Sequence, residues 1–217
     1  MRKNSSILPG SLVAIAVLLT LAGHLLSISW LSYLFKPLAT LLLFSIAFSH
    51  WFSHRNPYAL WIAIGLLFSL AGDVALLWPA LYFLLGLAAF LLTHIAYLIA
   101  FTRDAKFPAR LVIWLLYLAI AGAFYALLFP NLPNNLKAPV AFYALLLASM
   151  TAQATGRSLV LKTQPARLAA MGAILFMLSD LLLAFDRFHT ALLLAPVLIL
   201  IPYYLAQWLI ALSTARS

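Results

Sequence analysis

The stretch Tyr58-Ala-Leu-Trp-Ile-Ala-Ile-Gly-Leu-Leu-Phe-Ser-Leu-Ala-Gly-Asp-Val-Ala-Leu-Leu77 contains a single charged side chain, that of Asp73. An α-helix needs about 20 predominantly apolar residues to cross the hydrocarbon core of a bilayer. This stretch is therefore predicted to be a transmembrane helix. The carboxylate near its end is the first group that a functional interpretation has to explain.

Segments of the same kind occupy most of the chain. Of its 217 residues, 66% are hydrophobic and 8% are charged, with a mean hydropathy of +1.10, whereas soluble proteins are about 45–50% apolar. Turn-forming and charged residues delimit predicted spans at 11–33, 37–53, 58–77, 80–101, 109–129, 138–156, 166–185 and 190–213. We therefore predict an all-α fold, a polytopic membrane bundle of about eight transmembrane helices, in which residues 1–217 form a single transmembrane domain.

The basic residues predict the orientation of this bundle. With eight spans, both termini and the connections after spans two, four and six share one side of the membrane. Ten of the thirteen basic residues fall on that side, namely Arg2, Lys3, Arg55, Arg103, Lys106, Arg110, Arg157, Lys162, Arg167 and Arg216. Because positively charged loops stay in the cytoplasm, both termini are predicted to be cytoplasmic, in the plasma (inner) membrane if the source is bacterial. The net charge of +9 then reflects topology, and no nucleic acid is expected as a partner.

A shift of the sequence by four predicted helices reveals an internal similarity. An offset of 107 residues places Gly65 on Gly172, Asp73 on Asp180 and Tyr97 on Tyr204. Four helices return the chain to the same direction, so the pattern suggests a parallel repeat of two four-helix halves.

The four acidic residues are all aspartates, and two of them lie inside predicted spans. Asp73 and Asp180 share a predicted depth of roughly 6–9 Å inside the non-cytoplasmic boundary, at 1.5 Å per helical residue. A carboxylate within a bilayer usually faces the bundle interior and serves a function. These two residues are the predicted catalytic pair, although each could instead be a structural group bonded to a neighbouring helix. Asp104, in a charged loop, is expected to form a solvated surface ion pair.

Further polar side chains are predicted to line the same interior. The candidate substrate-binding residues are Lys36, His94, Tyr97, Asp186, Arg187, Tyr203, Tyr204 and Gln207. Lys36 and Arg187 lie at the non-cytoplasmic ends of their spans, from which long basic side chains can reach the aspartates. The chain has no cysteine and no familiar hydrolase or metal-binding motif. No metal and no organic cofactor are predicted.

Several short motifs occur in a characteristic order: Lys36-Pro37, Phe68-Ser-Leu-Ala-Gly-Asp73, Gly86 to Tyr97 with Phe90 and His94, Phe176-Met-Leu-Ser-Asp180, and Tyr203-Tyr-Leu-Ala-Gln207. Together they resemble the YhhN family, whose animal members are the lysoplasmalogenases, over about residues 30–210. The resemblance implies an eight-span enzyme that hydrolyses the vinyl ether bond of lysoplasmalogens. The products would be a fatty aldehyde and a glycerophospho-base.

The implied reaction needs an acid and a base, and glycosidases solve a related problem with two carboxyl groups. Asp73 and Asp180 could divide these roles, in either order. Lys36 or Arg187 could bind the phosphate of a lipid substrate held within the membrane. Three other interpretations stay open. They are a proton-coupled transporter of a small or lipid-like solute, a metal hydrolase using His94 with the aspartates, and a structural or regulatory membrane protein.

Overall fold

The helices of the protein follow the apolar segments of its sequence. The computed structural model describes residues 7–215, and of residues 7–9 the backbone alone. Within this range the helices are α1 (Ile7–Leu25), α2 (Ser29–His54), α3 (Pro57–Ala75), α4 (Pro79–Phe101), α5 (Leu111–Leu128), α6 (Asn134–Leu161), α7 (Gln164–Phe188) and α8 (Ala195–Leu212). A single 3-10 turn, Phe129–Asn131, follows α5. No β-strand occurs between residues 7 and 215.

Helices α2 to α8 are each long and apolar enough to cross a membrane, and α1 contributes a shorter apolar segment, Gly10–Leu25. The prediction of an all-α, multi-pass membrane protein is thereby confirmed. Arg2, Lys3 and Arg216, which contribute to the predicted charge asymmetry, lie outside the described residues. The cytoplasmic location of the termini stays a prediction, as does the assignment of residues 1–217 to one domain.

Short connections make neighbouring helices antiparallel, so the connections alternate between two ends of the bundle. We call one of them the site end, where residues 26–28, 76–78, 129–133 and 189–194 connect helices. At the opposite end lie residues 55–56, 102–110 and 162–163.

The connection between the first two helices differs from the prediction. The sequence predicted a first span to residue 33 and a break at Lys36-Pro37, but α1 ends at Leu25 and Pro37 lies inside α2. The chain turns instead at Ser27, whose φ is 57°. Proline costs a helix one backbone hydrogen bond, which the long, well-packed α2 tolerates. As a result, Lys36 projects from within a helix and is only 7% exposed.

Other helix boundaries moved by several residues. Helix α6 begins at Asn134, with Pro139 inside it, and α8 begins at Ala195 instead of residue 190. Helix α7 extends to Phe188, so that Asp186 and Arg187 lie in its last turn and not in a loop. Their side chains therefore have fixed positions at the site end.

Asp104 forms an ion pair from an exposed position in its loop, as predicted, but its partner is a buried arginine. Arg157 donates from Nε and Nη2 to the two carboxylate oxygens of Asp104, both at 2.6 Å. Arg157 is buried and lies inside α6, where a loop was expected. This pair attaches the 102–110 connection to α6 at the opposite end of the bundle.

Small residues allow close contact between the helices that carry the site. A methyl group on Gly65 would overlap the ring of Tyr97, and one on Gly72 would overlap Phe90. Close approach through small residues is the usual way in which membrane helices associate. These contacts hold α3 tightly against α4.

The ends of α2 and α6 are alike. Arg55 and Lys162, 107 residues apart, each end their helix in the left-handed conformation, with φ values of 51° and 55°. The similarity agrees with the suggested repeat of two halves, which stays a prediction.

Candidate active site

Asp73 and Asp180, the predicted catalytic pair, line one cavity at the site end of the bundle. The cavity has a volume of about 290 Å³, and its walls come from α1 to α4, α7 and α8. The side chain of Asp73 is 1% exposed and that of Asp180 is 10% exposed. The structure therefore gives two buried carboxyl groups access to one small space.

Asp73 is surrounded by groups that stabilise its ionised form. Thr40 Oγ1 and Tyr203 OH donate hydrogen bonds to Oδ2 at 2.5 and 2.8 Å. Lys36 Nζ lies 3.6 Å from Oδ1. A nearby cation and hydrogen-bond donors both favour a carboxylate over a carboxylic acid. Asp73 is thus placed to act as an anion.

Asp180 has a different set of partners. Tyr143 OH donates to its Oδ2 at 2.6 Å, and His94 Nε2 lies 3.5 Å from the same atom. Among the described residues, no lysine or arginine forms a salt bridge with Asp180. The two carboxyl groups therefore differ in the charge around them, which is the property that separates an acid role from a base role.

His94 is completely buried beside Asp180. The rings of Tyr143 and Phe176 lie 4.9 and 5.0 Å from it, both edge to face. Within the part of the chain that the structure describes, neither imidazole nitrogen has a hydrogen-bond partner. A buried polar atom without a partner costs roughly 1–3 kcal/mol, so packing alone does not account for a histidine here. The predicted role of His94 in substrate binding stays a prediction.

Tyr97 and Gln207 lie behind the cavity wall and do not line the cavity. Tyr97 OH donates to Gln207 Oε1 at 2.5 Å, and Gln207 Nε2 donates to Ser69 Oγ at 2.7 Å and to Tyr203 OH at 3.3 Å. These bonds fix the hydroxyl of Tyr203, which in turn bonds Asp73. The structure thus places both residues as supports of Asp73 and away from any substrate in the cavity.

Tyr204 has a similar supporting position. Its hydroxyl donates to the backbone oxygen of Lys36 at 3.1 Å, which links α8 to α2 beside the ion pair. Tyr203, by contrast, lines the cavity itself. Of the two adjacent tyrosines, only Tyr203 could contact a substrate in this space.

Asp186 and Arg187 lie at the outer rim of the cavity. Asp186 Oδ1 accepts a hydrogen bond from the backbone N–H of Leu192 at 2.8 Å, which fixes the connection to α8. The guanidinium of Arg187 lies over the ring of Phe83, 5.2 Å from its centre. Arg187 is exposed and forms no salt bridge among residues 10–215. It is therefore available to an anionic group at the rim.

Sequence reasoning missed Thr40 and Tyr143. Thr40 lies one helical turn after Lys36, and this i, i+4 spacing places both side chains on one helix face, so the pattern could have indicated it. Tyr143 sits in an apolar segment of α6 with no such signal. Only the packing of α6 against α7 brings it to Asp180.

The metal-hydrolase interpretation would need a set of three protein ligands around His94 and the aspartates. Residues 7–215 contain no group of three or more His, Asp or Glu side chains that could hold a metal ion. His94 and Asp180 would supply two ligands, whereas catalytic zinc sites use three from the protein. The other nearby carboxylate, that of Asp73, is already paired with Lys36.

The fold and the site together define a polytopic membrane protein with two unequal carboxyl groups in one cavity between its helices. Residues 31–214 match the YhhN family. The chain belongs to the YhhN family.

Curated relatives of the chain are named as enzymes. Lysoplasmalogenase TMEM86A of Bos taurus is 38% identical over 87% of this chain and 80% of its own length, and the Homo sapiens protein of that name is 37% identical with the same coverage. Lysoplasmalogenase TMEM86B of Rattus norvegicus is 36% identical over 87% of this chain and 75% of its own. No solved structure matches the chain. These relatives support hydrolase activity and give no support to the transporter interpretation.

Proposed function

We propose that the protein is a membrane-embedded hydrolase of lysoplasmalogen-type lipids, which it cleaves at the vinyl ether bond. The products are a fatty aldehyde and a glycerophospho-base. The name shared by the relatives supports this substrate class. The observation that carries the proposal is that Asp73 and Asp180 line one cavity with opposite surroundings, one beside a lysine and the other without a cation in salt-bridge contact.

Vinyl ether hydrolysis begins with a proton transfer to carbon. The alkene carbon that is not bonded to oxygen takes a proton, and the resulting cation is shared between the neighbouring carbon and the ether oxygen. Water then adds to that carbon to give a hemiacetal. The hemiacetal breaks its bond to the glycerol oxygen and leaves the aldehyde. One water is consumed, and no oxidant or reductant is needed.

Asp180 is the proposed acid. Without a cation in salt-bridge contact, its buried carboxyl group can hold a proton, and Tyr143 fixes one of its oxygens. It gives this proton to the alkene carbon and later takes one back from the hemiacetal hydroxyl. His94 lies beside it with unpaired ring nitrogens. Because His94 is fully buried and lines neither this cavity nor the neighbouring one, it can influence the reaction only through Asp180.

Asp73 is the proposed base. As a carboxylate it stabilises the cation across the cavity and takes a proton from the water that adds. In the last step it passes this proton to the departing glycerol oxygen. Each carboxyl group thus ends in the state in which it began, so the cycle is complete.

Arg187 is the proposed contact for the lipid phosphate. Lys36 was an equal candidate from the sequence, but its ammonium group is buried against Asp73. Arg187 lies exposed at the rim of the same cavity, where a headgroup would stay near water. The lipid would then enter with its phosphate at the site end and its vinyl ether beside the aspartates.

The reaction can be tested by product analysis with two matched lipids. Purified protein receives a lysoplasmalogen or the saturated alkyl ether lipid of the same chain length and headgroup, and aldehyde is followed through a coupled dehydrogenase. Only the vinyl ether should yield aldehyde, because a saturated ether has no alkene carbon to protonate. No aldehyde from the vinyl ether, or an equal yield from both lipids, would contradict the proposal.

The proposed orientation places the site end outside the cytoplasm and both termini inside it. The absence of cysteine permits a direct test with single introduced cysteines and a membrane-impermeant maleimide on intact cells. Thr190→Cys at the site end should be labelled, and Thr163→Cys at the opposite end should not. The reverse pattern would overturn the orientation and leave the reaction unaffected.

A further inference from the structure

A second cavity adjoins the first and shares Asp180 with it. It is a narrow apolar slot between α4, α5, α6 and α7, bounded by residues that include Phe83, Phe90, Leu128, Val140, Leu147 and Met177. We call it the apolar slot. Leu76, Phe83, Phe90, Asp180 and Leu183 line both spaces. Asp180 therefore lies at the boundary between the larger cavity and the slot.

The slot is suited to hydrocarbon and unsuited to a headgroup. Its lining consists mostly of leucine, phenylalanine, alanine and valine. Besides Asp180, its lining contains two polar side chains, and both are engaged, since Tyr143 OH bonds Asp180 and Tyr125 OH bonds the backbone oxygen of Lys137. A phosphate would find no free donor there, and burying it unpaired would be costly.

The slot runs along the helix axes. On α7 its lining extends from Met177 to Phe188, a length of roughly 16 Å at 1.5 Å per residue. Its lining has two layers of residues along the helix axes. The layer towards the bilayer centre consists of Phe90, Ala121, Leu147 and Met177, and the layer towards the site end consists of Phe83, Leu128, Val140 and Phe188. The distance between these layers suits an extended hydrocarbon chain that lies parallel to the helices.

We propose that the apolar slot binds the hydrocarbon chain of the substrate, and that Ala121 and Ala184 determine which chain lengths are accepted. The inference rests on the proposed function and adds a chain-binding site to it. With the chain in the slot, the vinyl ether lies at Asp180, where the two spaces meet, and the headgroup lies in the larger cavity. Water can then reach the reacting carbon from the cavity side only.

Ala121 and Ala184 are the places where added volume would shorten the slot. Ala121 belongs to the layer towards the bilayer centre, and Ala184 lies one helical turn beyond Asp180 towards the site end. Asp180 divides the slot into two arms, one towards the bilayer centre and one towards the site end. A phenylalanine at position 121 fills the first arm, and one at position 184 fills the second. Whichever arm holds the hydrocarbon chain should then accept only shorter chains. Ala14→Phe is the matched control, because Ala14 is exposed on α1 in a groove remote from both cavities.

The activity test compares vinyl ether lipids from short to long chains. At least one of Ala121→Phe and Ala184→Phe should lower kcat/KM for the longest chain at least about tenfold, equivalent to roughly 1.4 kcal/mol, while leaving the shortest chain within about twofold of the parent. Ala14→Phe should leave the whole profile unchanged. Unchanged profiles in both slot variants, or an equal loss for every chain length, would overturn the proposal.

A binding test separates the slot from the reaction. A saturated alkyl ether lysolipid with a diazirine at the end of its chain is photolysed on the purified protein, and the attachment sites are mapped by peptide mass spectrometry. Attachment within the slot, at Ala121, Leu128, Val140 or Leu147, supports the proposal even if no aldehyde is released from vinyl ethers. Attachment only at lipid-facing residues such as Leu85 and Leu205 overturns it, even if aldehyde is released.

Discussion

Lys36 Nζ lies 3.6 Å from Asp73 Oδ1, and both side chains are buried within the bundle. A lysine predicted to lie at a helix end lies within α2 and pairs with the carboxyl group. Its ammonium group is the counter-ion that an ionised aspartate needs between membrane helices. This pairing also removes Lys36 from the groups available to a phosphate, which leaves that role to Arg187.

Replacing Lys36 by methionine tests the charge of the ion pair while keeping a side chain of similar volume. Lys36→Met keeps the apolar stem and removes the ammonium group, so a buried carboxylate loses its counter-ion. Breaking a buried pair in this way costs about 3 kcal/mol. We expect a lower thermal midpoint in detergent and loss of aldehyde release.

The double variant Lys36→Met with Asp73→Asn provides the control for this prediction. Removing both charges leaves no lone buried ion, so most of the stability should return, whereas activity should not. A single variant as stable as the parent would show that the pair is not a buried, coupled unit.

The sequence was sufficient for the class of fold and for the two aspartates. Long apolar segments have a length fixed by bilayer thickness, and a carboxylate within one of them is conspicuous because it is costly there. The hydrogen-bond partners of these carboxylates were harder to predict from the sequence. Thr40 and Tyr143 look ordinary in their segments and reach the aspartates only through contacts between helices.

The helix boundary at Lys36-Pro37 was mispredicted for a related reason. Proline was taken to begin a helix, a position it favours, but the turn formed at residues 26–28, where the sequence has neither proline nor glycine. Tertiary packing of α2 outweighed the local preference.

Tyr143→Phe should reduce catalysis while leaving the slot nearly unchanged in shape. It removes the one hydroxyl that donates to Asp180 Oδ2, so the acid loses its fixed orientation. We expect kcat to fall about tenfold, equivalent to roughly 1.4 kcal/mol, with little change in KM. Steady-state kinetics with a lysoplasmalogen measures both constants.

Tyr117→Phe is the matched control for Tyr143→Phe. The hydroxyl of Tyr117 bonds Thr155 between α5 and α6, and neither residue lines either cavity. Its kinetics should equal those of the parent. If the kcat of Tyr143→Phe also equalled that of the parent, the hydroxyl of Tyr143 would not be needed to orient Asp180 for catalysis.

Gly65→Ala should destabilise the protein through the network behind Asp73. The added methyl group overlaps the ring of Tyr97, whose hydroxyl holds Gln207. Overpacking of this kind costs about 1–3 kcal/mol. We expect a lower unfolding midpoint together with reduced activity.

Gly122→Ala tests whether this loss is specific to the contact. An added methyl group at Gly122 meets no atom within 4 Å, and alanine has the higher helix propensity by about 1 kcal/mol. Its unfolding midpoint should be equal to or above that of the parent. Equal losses in both variants would mean that glycine itself, and not the approach of Tyr97, is required.

Asp180 is proposed to supply the proton and not only to stabilise the fold. The most direct measurement compares Asp180→Asn with the parent for aldehyde release and, separately, for photoattachment of the saturated ether lipid. Asn can still accept from Tyr143, so binding should persist, whereas kcat should fall at least about 100-fold. Asp104→Asn, at the opposite end, is the control for loss of a carboxylate. It should lower the unfolding midpoint, because the buried Arg157 loses its partner, but the folded protein should retain activity. Aldehyde release by Asp180→Asn within about threefold of the parent, well short of an acid–base loss, would contradict the account.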